Sequence, residues 1–199
     1  MRINRLEIKN FRNYSDIKVE FNSDKILFIG KNAQGKTNLL EAVYYLSSLD
    51  SLRAKTDSEL IKWNEEICNI KADITKFDID INLDITINPP NRKKLKVNGL
   101  NKNKSSEFIS NLSTVCFTTN DLLLLRGTPD DRRKWLDCAI NQIYPAYIER
   151  LTKYNKIRIQ KNNFLKNLKG NLNADLTMLD IWNEQLAITG SNIIYIRIN

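Results

Sequence analysis

Histidine is absent from all 199 residues. Its absence removes Ser-His and Cys-His nucleophilic catalysis from consideration. Cysteine is limited to Cys68, Cys116 and Cys138, widely spaced and without a CxxC pair, so neither a structural zinc site nor a disulfide framework is expected. Buried, reduced thiols are the expectation for all three. No stretch approaches the roughly 20 consecutive apolar residues that a membrane-spanning helix needs. The opening Met1-Arg2-Ile3-Asn4-Arg5-Leu6-Glu7-Ile8-Lys9 alternates polar and apolar residues. A secretory leader would instead place an uninterrupted apolar run behind its charge, so a cytoplasmic location is expected. Internal repeats and low-complexity linkers are also lacking.

What is present fits a globular chain, with 42% hydrophobic and 27% charged residues. Its length suits one sizeable core, or a compact domain with a smaller appendage. Thirty-one basic against 23 acidic residues give a formal charge of +8. Such an excess draws polyanions without identifying one.

Ile3, Leu6 and Ile8, then Ile17, Val19 and Phe21, predict two half-buried strands joined through Phe11-Arg12-Asn13-Tyr14. Lys25-Ile26-Leu27-Phe28-Ile29-Gly30 is a continuous apolar run that predicts a strand covered on both faces. Thr37 to about Ser48 places Leu39, Leu40, Val43 and Leu46 at helical spacing. From Ile67 to about Lys102 the period falls to two, most regularly through Ile79, Ile81, Leu83, Ile85 and Ile87, which predicts antiparallel strands with one wet face. Asn98-Gly99 marks a type I′ hairpin turn. Ser113-Thr114-Val115-Cys116-Phe117 reads as a further core strand. Beyond it, Thr128-Pro129-Asp130-Asp131 predicts a helix start, and Pro145 and Gly170-Asn171 divide the rest into helices near 129–143, 145–169 and 175–198.

Between the apolar run and the first helix lies Gly30-Lys31-Asn32-Ala33-Gln34-Gly35-Lys36-Thr37, which meets G-x-x-x-x-G-K-[ST] at every specified position. Glycines allow successive backbone N–H groups to face inward, and the following helix aims its positive end at the same point. ATP phosphates fit such a nest, with Lys36 on the β- and γ-phosphate oxygens and the Thr37 hydroxyl on Mg2+. The strand-loop-helix setting makes this reading specific.

The run from Gly30 through Asn38-Leu39-Leu40-Glu41-Ala42 resembles the phosphate-loop region of the RecF family, SMC-like members of the ABC ATPases. Leu6-Glu7-Ile8-Lys9-Asn10-Phe11-Arg12-Asn13-Tyr14 resembles it too, as does Phe117-Thr118-Thr119-Asn120-Asp121-Leu122 through Gly127-Thr128-Pro129-Asp130-Asp131-Arg132-Arg133-Lys134-Trp135-Leu136-Asp137. This last block is the most particular to that family. Weaker likeness, including Glu59-Leu60-Ile61-Lys62-Trp63 and Leu179-Asp180-Ile181-Trp182, spans nearly the whole chain.

The resemblance implies an α/β, ABC-type ATPase head with an antiparallel β lobe and a helical lid. Residues 1–127 would form the core with its β lobe, and 128–199 the start of the lid. It implies that Gly30 through Asn38, together with Arg12, contact the nucleotide. It also implies recombinational DNA repair, replication-fork recovery and SOS induction with RecO and RecR, and an ATP-dependent homodimer of the complete protein. Thr118-Thr119-Asn120-Asp121 and Leu52-Arg53 depart from the family's usual Ser-Pro-Glu-Asp and His-Arg, which leaves the roles of Thr119, Asn120 and Asp121 open.

An apolar strand ending in Asp-Glu, which would place the Mg2+ aspartate and the water-activating glutamate, is not found after Gly35. Nor is a Ser-Gly-Gly-like signature. The chain therefore reads as an N-terminal portion that binds ATP without turning it over, and no catalytic residue is assigned. Between 145 and 169, Arg150, Lys153, Lys156, Arg158, Lys161, Lys166 and Lys169 stand against Glu149 alone. Lys153, Lys156, Arg158 and Lys161 are candidates for sequence-independent contact with DNA phosphates, and a solvated helix face is the plain alternative. A P-loop small-molecule kinase and a structural nucleic-acid module remain alternative functions.

Overall fold

A computed structural model describes residues 1–118, 121, 127–167 and 177–198. These separate into two compact units, Met1–Cys138 and Ala139–Asn199. The division falls inside a helix.

Unit 1 is built on a six-stranded sheet in the order β2-β1-β3-β4-β5-β6. Its strands are β1 (Arg2–Phe11), β2 (Tyr14–Glu20), β3 (Cys68–Lys76), β4 (Ile79–Ile87), β5 (Lys94–Val97) and β6 (Leu100–Lys102). Every neighbouring pair is antiparallel. The period-two pattern dictates this arrangement: Leu6, Ile8, Ile70, Ala72, Ile74, Leu83 and Ile85 all fall on one face and are fully or almost fully buried. The helix α1 (Lys36–Ser48) covers that face with Leu39, Ala42, Tyr45 and Leu46. Each leucine or isoleucine side chain buried there contributes on the order of 1.5–3 kcal/mol. Leu40, expected from spacing to share this face, is half exposed.

The opposite face of the sheet is a set of alternating charges. Cross-strand register sets Lys18 against Glu7, Glu7 against Lys71, Lys71 against Asp84 and Asp84 against Lys96. A one-residue slip of any strand would turn its apolar set to water and break its charge pairing together.

Hairpin turns join four of the strand pairs. Asn98 and Gly99, with φ of 50° and 77°, form the expected type I′ turn. Phe77 and Asp78 form a second left-handed pair, at φ 50° and 62°, between β3 and β4. No glycine signals it, and Phe77 is exposed. A short helix, α2 (Ser105–Ile109), adds Phe108 and Ile109 to the core.

Two expected core strands are not formed. Residues 26–30 carry no strand, and Ile26, Leu27 and Ile29 are exposed. Residues 113–117 likewise lack a ladder partner, with Val115 and Phe117 exposed. A doubly covered strand needs a hydrogen-bonded neighbour and a layer on each face, and no described strand pairs with either segment.

The helix α3 (Pro129–Ile143) begins where Thr128-Pro129-Asp130-Asp131 predicts. Thr128 Oγ1 accepts from the Asp131 N–H at 3.3 Å, and the Asp131 carboxylate accepts from the Thr128 N–H at 2.9 Å, a reciprocal cap. In unit 2, α4 (Ala146–Asn167) and α5 (Thr177–Ile198) pack together. Tyr147, Ile157 and Ile193 are buried, Phe164 meets Trp182 edge-on with ring centres 5.0 Å apart, and Gly190 lies over the Tyr154 ring. Gly170-Asn171, the expected break between these helices, lies outside the described residues, as do Thr119 and Asn120.

Candidate functional site

The sequence places the phosphate loop at the amino end of α1, and local geometry follows from two left-handed residues. Ala33 has φ 66°, and Gly35, the residue capping α1, has φ 97°. No acidic side chain occupies the first turn of the helix, so its positive end is uncompensated there. The Lys36 ammonium turns back across the loop and donates to the carbonyls of Gly30 and Lys31, both at 2.7 Å. Its charge is thereby held at the mouth of the loop, with Lys31, Asn32, Ala33, Gln34 and Thr37 exposed around it.

Gly35 is required for contact as well as for conformation. A Cβ there would stand 2.8 Å from the Asn13 amide and from the Tyr14 hydroxyl. The turn between β1 and β2 is therefore seated directly on the loop. Asn38 Nδ2 donates to Asn13 Oδ1 at 2.7 Å and fixes that seat. Burial raises the Tyr14 phenol above its ordinary value, so it stays a neutral O–H there.

Arg12 belongs to the same turn, at φ 54°. Its backbone N–H donates to the Leu60 carbonyl at 2.8 Å, and the Lys62 N–H donates to the Asn10 carbonyl at 2.8 Å, which lashes residues 60–62 to the end of β1. The Arg12 guanidinium grips the carboxylate of Glu41 with two nitrogens, Nε at 3.0 Å and Nη2 at 2.9 Å. Glu41 is fully buried on α1 and also accepts from Ser51 Oγ at 2.6 Å and Arg53 Nη2 at 3.0 Å. Burial acts to raise the Glu41 carboxyl. The hydrogen bonds from Arg12, Ser51 and Arg53 and the Arg12 charge prevail, holding it below its ordinary value.

Sequence reasoning singled out Arg12 and Asn38 but missed Glu41, Arg53 and Asn13. The available signal was Glu41 itself, an acid between Leu39 and Ala42 on the packed face of a helix, which demands a cation. Arg12, Asn13, Asn38, Arg53, Lys62 and Trp63 line a cleft of about 590 Å³ beside the loop, and Trp63 presents almost its whole ring to it and to solvent.

Among the described residues no three His, Cys, Asp or Glu side chains come together as a metal site. Thr37 offers one exposed hydroxyl, which suits Mg2+, an ion that takes few protein ligands beside phosphate and water.

In unit 2 the four candidate DNA contacts on α4 do not form one stripe. Lys153 and Lys156 are exposed and lie about 60° apart around the helix, whereas Arg158 lies on the far side from Lys156. Lys161 is half-buried and donates to Asn183 of α5 at 2.6 Å. Cys68 is buried, and burial with the Asp57 charge pushes its thiol up to about 12, while Cys116 and Cys138 are partly covered. No helix among the described residues is long and apolar enough to cross a membrane.

Known proteins share this fold. The chain is 39% identical over 194 residues to a DNA replication and repair protein RecF of Bacillus mycoides, covering 98% of this chain and 52% of that protein. It thus spans about half the length of the curated relatives it matches. It superposes on a solved structure described as the recombination mediator protein RecF-ATP in the RecFOR pathway with a TM-score of 0.92, at 34% identity, over 98% of this chain and 52% of that one. An SMC ATPase structure, at 21% identity and a TM-score of 0.56 over 69% of this chain and 98% of that one, shares the fold. The architecture is therefore that of an ABC-type ATPase head. An AAA ATPase domain family matches residues 1–188, and with the phosphate loop, its glycine cap and the seated turn all in place, the chain belongs to that family.

Proposed function

We propose that this chain binds ATP with Mg2+ through residues 30–38 and contributes that site to a RecF-like protein of recombinational DNA repair. The observation that carries the reading is the Lys36 ammonium, held in the loop mouth by the Gly30 and Lys31 carbonyls at the head of a helix with no acid in its first turn. A phosphate chain entering the loop exchanges those carbonyl bonds for ion pairs with phosphate oxygens and gains the backbone N–H groups. Thr37 would hold Mg2+ against the phosphates, the ion screening charge between them. The adjacent cleft lined by Arg12, Asn13 and Trp63 takes the nucleoside, with the Trp63 ring as a stacking surface.

On this reading residues 1–127 serve as the ATPase core and 128–199 as the helical lid. The exposed lysines of α4 contact DNA phosphates without reading sequence. By likeness to its relatives, the complete protein works in the cytoplasm with RecO and RecR, dimerises on ATP, and supports replication-fork recovery and SOS induction.

The test is binding of a labelled ATP to the parent and to Lys36→Ala. Removing the ammonium leaves an intact nest without its cation and should cost about 2–3 kcal/mol, or roughly 30- to 150-fold in affinity. Equal binding by a folded Lys36→Ala chain would sink the assignment.

A further inference from the structure

Glu41 has no part in phosphate binding as described above, yet it is a fully buried carboxylate with several cationic and polar partners. Its two oxygens accept four hydrogen bonds, from Arg12 Nε, Arg12 Nη2, Ser51 Oγ and Arg53 Nη2. These fill the roughly four acceptor positions that a carboxylate has. Nothing is left for a ligand, and the side chain has no solvent exposure through which one could reach it. The Arg12 pair is two-pronged and therefore fixes the guanidinium plane as well as its position. Arg12 Nη1 donates to the Glu59 carbonyl at 2.9 Å, so all three nitrogens are anchored. Three of about five N–H donors are thereby used, which leaves two for the cleft that Arg12 lines.

The same carboxylate is tied to the loop by a second route. Arg53 donates to Asn38 Oδ1 as well as to Glu41, Asn38 donates to Asn13, and Asn13 sits against Gly35. One buried charge on the loop's own helix thus holds the turn that is seated on the loop.

We propose that Glu41 is a positioning residue of the nucleotide site. It touches no ligand, and it fixes Arg12 on the cleft wall so that the remaining N–H donors of that arginine meet the bound nucleotide. This rests on the nucleotide reading above. Neutralising the carboxylate removes the charge that orients Arg12, so Glu41→Gln should weaken ATP binding about tenfold, the scale of one charged hydrogen bond.

A binding cycle with mant-ATP over the parent, Glu41→Gln, Arg12→Gln and the double variant separates positioning from general support, with far-UV circular dichroism confirming the fold. If Glu41 acts through Arg12, the double variant binds no more weakly than Arg12→Gln alone. Losses that multiply in the double variant, or a Glu41→Gln chain with parental affinity, overturn the proposal. Where Glu41→Gln does not fold, Arg12→Lys decides, because it keeps the charge and loses the two-pronged grip. Affinity as low as that of Arg12→Gln upholds the proposal, and parental affinity refutes it. Lys36→Ala run alongside distinguishes the failures. Parental binding that is indifferent to Lys36 defeats the nucleotide reading itself, whereas binding lost with Lys36 but unchanged in Glu41→Gln defeats only the role of Glu41.

Discussion

Replacing Gly35 by alanine should unseat the turn between β1 and β2 from the phosphate loop. Two costs add. Alanine at φ 97° is strained, since its Cβ crowds the backbone in that region, at about 1–3 kcal/mol. The new Cβ would also lie 2.8 Å from three polar atoms of Asn13 and Tyr14. Asn13 must then move, and the 2.7 Å bond from Asn38 is lost or lengthened, for a further ~1 kcal/mol. The total is about 2–4 kcal/mol against unit 1, a large part of the stability of an ordinary domain. Gly30→Ala is the matched control. A Cβ at Gly30 meets nothing within 4 Å, and its φ is not left-handed, so its folding cost should stay within about 0.5 kcal/mol although the motif specifies both glycines equally. Urea denaturation followed by circular dichroism compares the two. Equal midpoints for Gly35→Ala and Gly30→Ala would refute the seated turn.

Reversing Lys153, Lys156 and Lys161 to glutamate should weaken DNA binding and flatten its dependence on salt. Each lost phosphate contact removes about 0.9 from the log-log slope, and since Lys161 is engaged by Asn183, the expected change is about 1.8. An unchanged slope in a salt titration would return α4 to a solvated helix. The depressed Glu41 carboxyl carries a pH dependence of its own. A carboxyl whose folded value lies below its ordinary 4.5 stabilises the fold fully above that pH and loses the contribution as pH falls through the folded value. Glu41→Gln should therefore be less stable than the parent at pH 7, with the gap narrowing below 4.5. A gap in urea midpoint that is constant from pH 7 to pH 3.5 would show that the charge is irrelevant.

Where one residue's surroundings are set by its neighbours in sequence, the structure could be read in advance. The alternation through Ile79–Ile87, the Asn98-Gly99 turn and the Thr128 cap depend on local period and backbone chemistry, and all three are formed. The glycine cap at Gly35 and the helix behind it are legible for the same reason. The strand expected at 26–30 was not, because an apolar run specifies burial but cannot specify which strand will pair with it. The turn at Phe77-Asp78 escaped because the register of β3 on β4 forces the left-handed pair where no glycine announces it. Glu41 is visible in the sequence only as part of a motif, while its meaning lies in Arg12 and Arg53, 29 residues before it and 12 after it.

The polar face of the sheet bears on where a polyanion can approach. Its central rows carry Arg5, Lys9, Lys18, Lys71, Lys94 and Lys96 against Glu7, Asp16, Glu20, Asp73 and Asp84, close to neutrality. Charges of opposite sign a strand apart, about 5 Å, present a field of alternating poles that cancels within about one strand spacing, inside the ~8 Å screening length of physiological salt. A phosphate backbone drawn toward this chain from a distance feels almost nothing of that surface. The formal charge of +8 must therefore act from elsewhere on the molecule, and the sheet's outer face works as an electrostatic blank that leaves the direction of encounter to the other surfaces.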